Sequence, residues 1–162
     1  MSAILGIDYS TWAIDLVKLD VDTLRGDWTR LDLPPGIALE RARRIPRPSS
    51  SYFDDVIMVA TEEPRGMGLT THFKLGRVQG VVLSMIPLEL TVHEYQPHMW
   101  RRACNLPGNS TKEMVGAWAR SLIASQPGIE LWPQDAFDAY AMAYALLMES
   151  DRAAYPIRKE QP

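Results

Sequence analysis

Ile4-Leu5-Gly6-Ile7-Asp8-Tyr9-Ser10-Thr11 begins with an apolar run and meets an acid at Asp8. Residues 3–8 accordingly read as a buried strand. Ser10-Thr11 then supplies a turn. Outward from it, residues 13–20 and 26–32 read as further strands, with a second turn signal at Arg25-Gly26-Asp27. The three form an antiparallel meander. Pro34-Pro35-Gly36 breaks it, residues 37–44 suit a short helix, and Pro46, Pro48 and Ser49-Ser50-Ser51 prevent a long one. Val56-Ile57-Met58-Val59-Ala60-Thr61-Glu62 is a second continuous apolar run, between Asp54-Asp55 and Pro64, and predicts a central strand.

After the connection Arg65-Gly66-Met67-Gly68, residues 69–86 predict a helix, with Phe73, Leu75, Val78, Val81, Val82 and Met85 near helical spacing. Residues 90–95 are a short strand. Pro97 opens a short helix that ends near Leu106-Pro107-Gly108. Ser110 or Thr111 caps a helix over 112–124, and Pro127-Gly128 stops it. The last helix covers 134–149. The expected architecture is α/β with a mixed sheet, one domain over 1–150 and a polar tail over 151–162.

Acids mark the points where these buried elements surface. Asp8 ends the first strand, Glu62 and Glu63 end the central one, and Asp135 and Asp138 open the last helix. A charge beside a core is costly unless something pairs with it. Hard divalent cations would do so, because they prefer oxygen ligands. Asp135 and Asp138 are three apart and share a helix face. Taken singly, each acid also has a structural explanation. Asp135 is a natural N-cap with Asp138 in the first turn, Asp8 a turn former, and Glu62 or Glu63 a solvated strand end. Convergence of all of them on one point is what two-metal phosphodiester hydrolysis requires. Neighbours on a strand point to opposite faces, so Glu62 or Glu63, but not both, readily joins Asp8.

Other candidates carry less. His72, His93 and His98 have no compact metal-ligand spacing, and Ser10 has no evident base partner. Trp100, beside Arg101-Arg102, either stacks on a base or packs under a helix. The glycines at 66 and 68 complete no phosphate-binding loop.

Composition is that of an ordinary globular protein, 46% hydrophobic and 23% charged over 162 residues. No apolar run reaches the length of a membrane span, and the N-terminus does not read as a signal peptide. Cys104 is the only cysteine, which excludes an internal disulfide and a thiolate zinc site and fits a reducing cytoplasm. The formal net charge of −3 argues against a nucleic-acid partner only if the acids are unpaired. Basic groups at Arg41, Arg43, Arg44 and Arg47, and at Arg101, Arg102 and Lys112, leave such a partner open.

The motifs together resemble the RuvC family of Holliday junction resolvases, within the RNase H-like superfamily. The resembling segments are Gly6-Ile7-Asp8-Tyr9-Ser10-Thr11, Val59-Ala60-Thr61-Glu62-Glu63-Pro64 and Lys74-Leu75-Gly76-Arg77-Val78-Gln79-Gly80-Val81. Glu94-Tyr95-Gln96-Pro97, Ser110-Thr111-Lys112-Glu113 and Asp135-Ala136-Phe137-Asp138-Ala139-Tyr140-Ala141 follow in the same order. The resemblance implies an RNase H-like fold and a homodimer that nicks four-way DNA junctions symmetrically with Mg²⁺ or Mn²⁺. It implies Asp8, Glu62, Asp135 and Asp138 as catalytic metal ligands, and Arg65, Arg101, Arg102 and Lys112 as residues near the DNA. Arg65 stands where cellular members often carry an aromatic. The short chain and its divergence point to a bacteriophage member. Two other classes remain open: a branched-DNA-binding module that does not cut, and a sugar-kinase-like ATPase fragment, whose first phosphate loop Gly6-Ile7-Asp8 with Ser10-Thr11 also resembles.

Overall fold

The structure is a computed structural model that describes residues 2–33, 45, 47–64 and 68–154. The helix expected over 37–44, Arg41, Arg43, Arg44 and Arg65 lie outside the described residues, as does the tail from 155.

Five strands form one mixed sheet in the order β3-β2-β1-β4-β5. They are β1 (Ala3–Tyr9), β2 (Ala13–Asp20), β3 (Gly26–Asp32), β4 (Val56–Glu62) and β5 (Thr91–Tyr95). The β1–β2 and β2–β3 pairs are antiparallel, which is the expected meander. The β1–β4 and β4–β5 pairs are parallel. Ser10 makes the first turn: its Oγ accepts from the Trp12 and Ala13 amides and donates to the Ala13 carbonyl. The edge strands β3 and β5 are mostly half-buried or exposed, whereas β1 is buried along its apolar length.

The helices are α1 (Leu69–Leu83), α2 (Pro97–Ala103), α3 (Lys112–Leu122) and α4 (Gln134–Ala154). They divide between the two sheet faces. Leu5, Ile7 and Val59 pack with Val78, Val82 and Ile86 on the α1 side, over the short 3₁₀ turn Ser50–Phe53. Ile4, Val17, Leu19 and Ala60 pack with α2, α3 and α4 on the other. Alternation along β1 therefore sends Ile4, Gly6 and Asp8 toward α4.

Several boundaries differ from the sequence reading, each for a local reason. α1 ends at Leu83, not 86, because the Met85 and Ile86 amides turn back to the carbonyls three residues before them, just ahead of Pro87. α2 stops at Ala103, where Asn105 takes a left-handed conformation (φ 59) and the Leu106 amide closes on the Arg101 carbonyl. α4 continues to Ala154, beyond the end expected at 149.

Helix α4 touches the sheet backbone to backbone. A Cβ on Gly6 would lie 1.9 Å from the Ala139 carbonyl oxygen and 3.2 Å from the Ala143 side chain. Only glycine permits that approach. Small residues on α4, among them Ala136, Ala139 and Ala143, are fully buried there. The helix is thereby held over β1 with its N-terminal turn above the strand's acidic end.

Candidate active site

Asp8 lies two residues beyond Gly6, and Asp138 is next to Ala139. The contact at Gly6 therefore fixes the distance between the two acids. Ligand oxygens of Asp8, Asp135 and Asp138 all lie within 4.8 Å of one another. No histidine or cysteine joins this group. Because α4 begins at Gln134, Asp135 lies inside its first turn and is not its N-cap, a place where the helix dipole still favours an acid.

Lys112 stands among the acids. It is the first residue of α3, whose N-cap is Thr111, accepting from the Met114 amide. Gln134 Nε2 donates to the Lys112 carbonyl at 2.6 Å and ties the starts of α3 and α4 together. The Lys112 ammonium is 2.7 Å from Asp135 Oδ1 and 3.3 Å from Asp138 Oδ2. The residue expected beside the DNA is thus inside the acidic cluster. Burial alone would lower its pKa, but the bond to Asp135 and the charges of Asp138 and Asp8 raise it instead.

The acids feel each other strongly. Burial, followed by the charge of Asp138, pushes the Asp8 carboxyl well above the ordinary carboxylate range, against the pull of Lys112. Burial likewise pushes Asp138 up to about 6, although Lys112 opposes it. Asp138 Oδ1 is buried without a hydrogen-bond partner among the described residues. A buried, partnerless carboxylate oxygen is costly and unusual. An all-oxygen set with such an atom fits a hard divalent cation such as Mg²⁺ or Mn²⁺.

Glu62 stands beside the trio and does not join it at the same spacing. This departs from the expectation that four acids converge. Its Oε2 accepts from Trp100 Nε1 at 3.0 Å, and its backbone carbonyl accepts from the Tyr9 hydroxyl at 2.7 Å. Its charge still raises both Asp8 and Asp138. The parallel register pairs Gly6 with Ala60 and Ile7 with Thr61, and so brings Glu62 level with Asp8. Ala60, two residues earlier, belongs to the α4-side core. Glu62 therefore shares the face of Asp8. Glu63 also lines the cleft, together with Tyr9, Ser10, Pro64 and Leu75.

Trp100 is fully buried, which settles its packing role and removes base stacking. The Arg101 guanidinium carbon lies 4.9 Å from the Trp100 ring centroid, and Arg101 is half-buried, whereas Arg102 is exposed.

Asp15 is a further acid near the site that belongs to none of the motifs above. It lies opposite Asp8 in the β1–β2 register and is only 1% exposed. Trp28 Nε1 donates to its Oδ1 at 2.9 Å, and Arg30 Nη1 is 3.4 Å from its Oδ2. Burial raises its pKa, while Trp28 and Arg30 act to lower it. The signal was there: an acid at the centre of Ala13-Ile14-Asp15-Leu16-Val17, where its neighbours are all apolar.

The five-stranded mixed sheet with its flanking helices is the RNase H-like fold seen in solved RuvC structures. Thermus thermophilus RuvC superposes with a TM-score of 0.71 at 22% identity, over 93% of this chain and 96% of that one. T. thermophilus RuvC in complex with Holliday junction substrate gives a TM-score of 0.73 at 20% identity over the same shares. In sequence, the crossover junction endodeoxyribonuclease RuvC of Zymomonas mobilis subsp. mobilis is 35% identical over 88 residues. That alignment spans 53% of this chain and about half, 51%, of the relative. No family model matches.

Proposed function

We propose that this chain is a metal-dependent endodeoxyribonuclease that resolves four-way DNA junctions by paired, symmetric nicks. The observation that carries the reading is the meeting of Asp8, Asp135 and Asp138 within 4.8 Å, with Glu62 level with Asp8 on the neighbouring strand. Similarity to RuvC in both fold and sequence supplies the substrate class.

In this reading Asp8, Glu62, Asp135 and Asp138 hold Mg²⁺, or Mn²⁺ in its place. The chemistry such ions supply when bound is Lewis acidity, which eases deprotonation of a water and offsets charge on the departing oxygen of the phosphodiester. The chain's residues do the rest. The four acids orient the ions at the floor of an open cleft. Lys112 offsets part of their mutual repulsion and offers an ammonium to a phosphate. Arg101, stacked on Trp100, and Arg102 of α2, with Arg65, contact the DNA backbone in this reading.

The active form is a homodimer, since two opposed nicks need two sites related by a two-fold axis. Helix α1 supports this. Leu69, Phe73, Gly76 and Gly80 form one stripe along it, with Leu69 72% and Phe73 58% exposed. A Cβ at either glycine would meet nothing within 4 Å. Among the described residues no helix is long and apolar enough to cross a membrane.

The test is a labelled four-way junction incubated with Mg²⁺ or with EDTA. Paired nicks at symmetric positions, seen only with Mg²⁺, are expected. Binding without cutting under both conditions would leave a branched-DNA-binding module. Neither binding nor cutting, with ATP turnover, would favour the kinase-like reading.

A further inference from the structure

Trp100 is 0% exposed, yet its polar atom reaches the cleft: Nε1 donates to Glu62 Oε2 at 3.0 Å. We propose that Trp100 is a positioning residue for Glu62, its indole N–H fixing the carboxylate so that this acid meets the metal held by Asp8, Asp135 and Asp138. The inference rests on the metal-dependent reading of the site and extends it to a residue outside the acidic set.

The local structure explains how a core residue arrives there. Glu62 pairs with Tyr95 at the ends of β4 and β5. The chain turns at Gln96, Pro97 sits in the first turn of α2, and Trp100 follows one helical turn later. The ring packs into the α4-side core with Tyr95, Ala103 and Cys104. So anchored, the indole has no room to swing, and its single N–H has a fixed direction. Glu62 is pinned a second time by the Tyr9 hydroxyl on its backbone carbonyl.

The chemistry of the donor matters. An indole N–H donates, carries no charge and cannot ligate a metal. It holds one carboxylate oxygen while leaving the acid its full negative charge. A lysine or arginine in the same place would neutralise the acid and compete with the cation. Another indole–carboxylate pair shows the contrast. Asp15 is held by Trp28 but also faces Arg30, and it stays out of the acidic trio. A buried tryptophan N–H usually has an acceptor, since leaving it unpaired is costly. The bland account is therefore that Glu62 merely satisfies Trp100, and the experiment must separate the two directions of benefit.

Two replacements remove the donor. Trp100→Phe keeps an aromatic ring, and β-(3-benzothienyl)alanine at position 100 keeps the full bicyclic shape with sulfur in place of N–H. Mn²⁺ binding is read by electron paramagnetic resonance without DNA, and junction nicking is read as a function of Mg²⁺ concentration. The expected result is Mn²⁺ binding weakened by about 10-fold or more, the usual effect of losing a residue that orients a ligand. The Mg²⁺ dependence of nicking should shift to match, with junction binding in EDTA unchanged. In a Glu62→Gln background neither replacement should weaken Mn²⁺ binding further. If the benzothienyl protein melts at a lower temperature but binds Mn²⁺ as tightly as wild type, the bond serves packing alone and the inference is wrong. Should Trp100→Phe fail to fold, the isosteric analogue still decides. If wild type cuts no junction but loses Mn²⁺ affinity on these replacements, the substrate reading fails and the role of Trp100 stands.

Discussion

Gly6 of β1 and Ala139 of α4 touch through their backbones, and the candidate site depends on that contact. The space for a Cβ at Gly6 is already filled by the Ala139 carbonyl, 1.9 Å away. Backbone cannot yield as a flexible side chain can. Gly6→Ala must push α4 off the sheet and carry Asp138 away from Asp8. We expect a loss of roughly 3 kcal/mol or more in urea unfolding, at the upper end of overpacking effects. Divalent-ion binding should be lost with it. An unchanged unfolding midpoint with intact Mn²⁺ binding would show that α4 is not fixed at this point.

Asp8→Asn is expected to abolish cleavage and spare junction binding in EDTA. The substitution removes a ligand charge, while the phosphate contacts of arginine and lysine remain. A gel shift and a nicking assay on one preparation decide it. Undiminished nicking would remove Asp8 from the site.

Glu62→Gln and Glu63→Gln form a matched pair. Strand register and Trp100 both favour Glu62, so only Glu62→Gln should lose nicking, by on the order of 100-fold or more. Inactivity confined to Glu63→Gln would mean that β4 twists after Thr61 and presents the other acid.

The strand segments, the meander of β1 to β3 and the points where acids surface were legible in the sequence because they depend on short-range pattern. Continuous apolar runs at β1 and β4 mark strands covered on both faces, and the abrupt acids at Asp8 and Glu62 mark where they emerge. What remained hidden depends on contacts between distant residues. Nothing near Lys112 in sequence shows that Gln134 will draw it among the acids. The partner of Trp100 lies 38 residues away, and that of Asp15 is a tryptophan on the next strand. The length of α4 escaped for a different reason. Polar residues after 149 look like a frayed end, yet the helix continues through them to Ala154.

Without metal the site is a liability, and its pH dependence follows. The Asp138 carboxyl is raised from 3.8 to about 6 in the folded protein. A raised carboxyl means the folded state holds its proton at pH values where the unfolded chain has released it. Stability of the metal-free protein should therefore be greatest below about pH 4 with respect to this group, and should fall as pH rises toward 6. Asp138→Asn should stabilise the metal-free protein at pH 7 by on the order of 1–2 kcal/mol and flatten that slope. Excess Mn²⁺ should stabilise wild type and not the variant. A metal-free wild type equally stable at pH 5 and pH 7 would show that Lys112 fully neutralises the cluster.

The stripe on α1 gives a prediction in which monomer stability and assembly move in opposite directions. Gly80 is exposed in mid-helix, and a side chain there meets nothing within the subunit. Gly80→Leu should therefore leave the monomer intact or stabilise its helix by up to about 1 kcal/mol. If α1 packs against α1 of a second copy, the same leucine prevents the backbones from meeting and weakens the dimer. Light scattering should give about twice the 18.3 kDa chain mass for wild type and the chain mass for the variant. On a supercoiled cruciform plasmid wild type should yield mainly linear product, both nicks falling within one binding event, whereas Gly80→Leu should accumulate nicked circles. A variant that remains dimeric and still linearises the plasmid would move the interface away from this face of α1. A wild type that is monomeric at micromolar concentration and leaves only nicked circles would make the protein a branched-DNA nickase and not a resolvase.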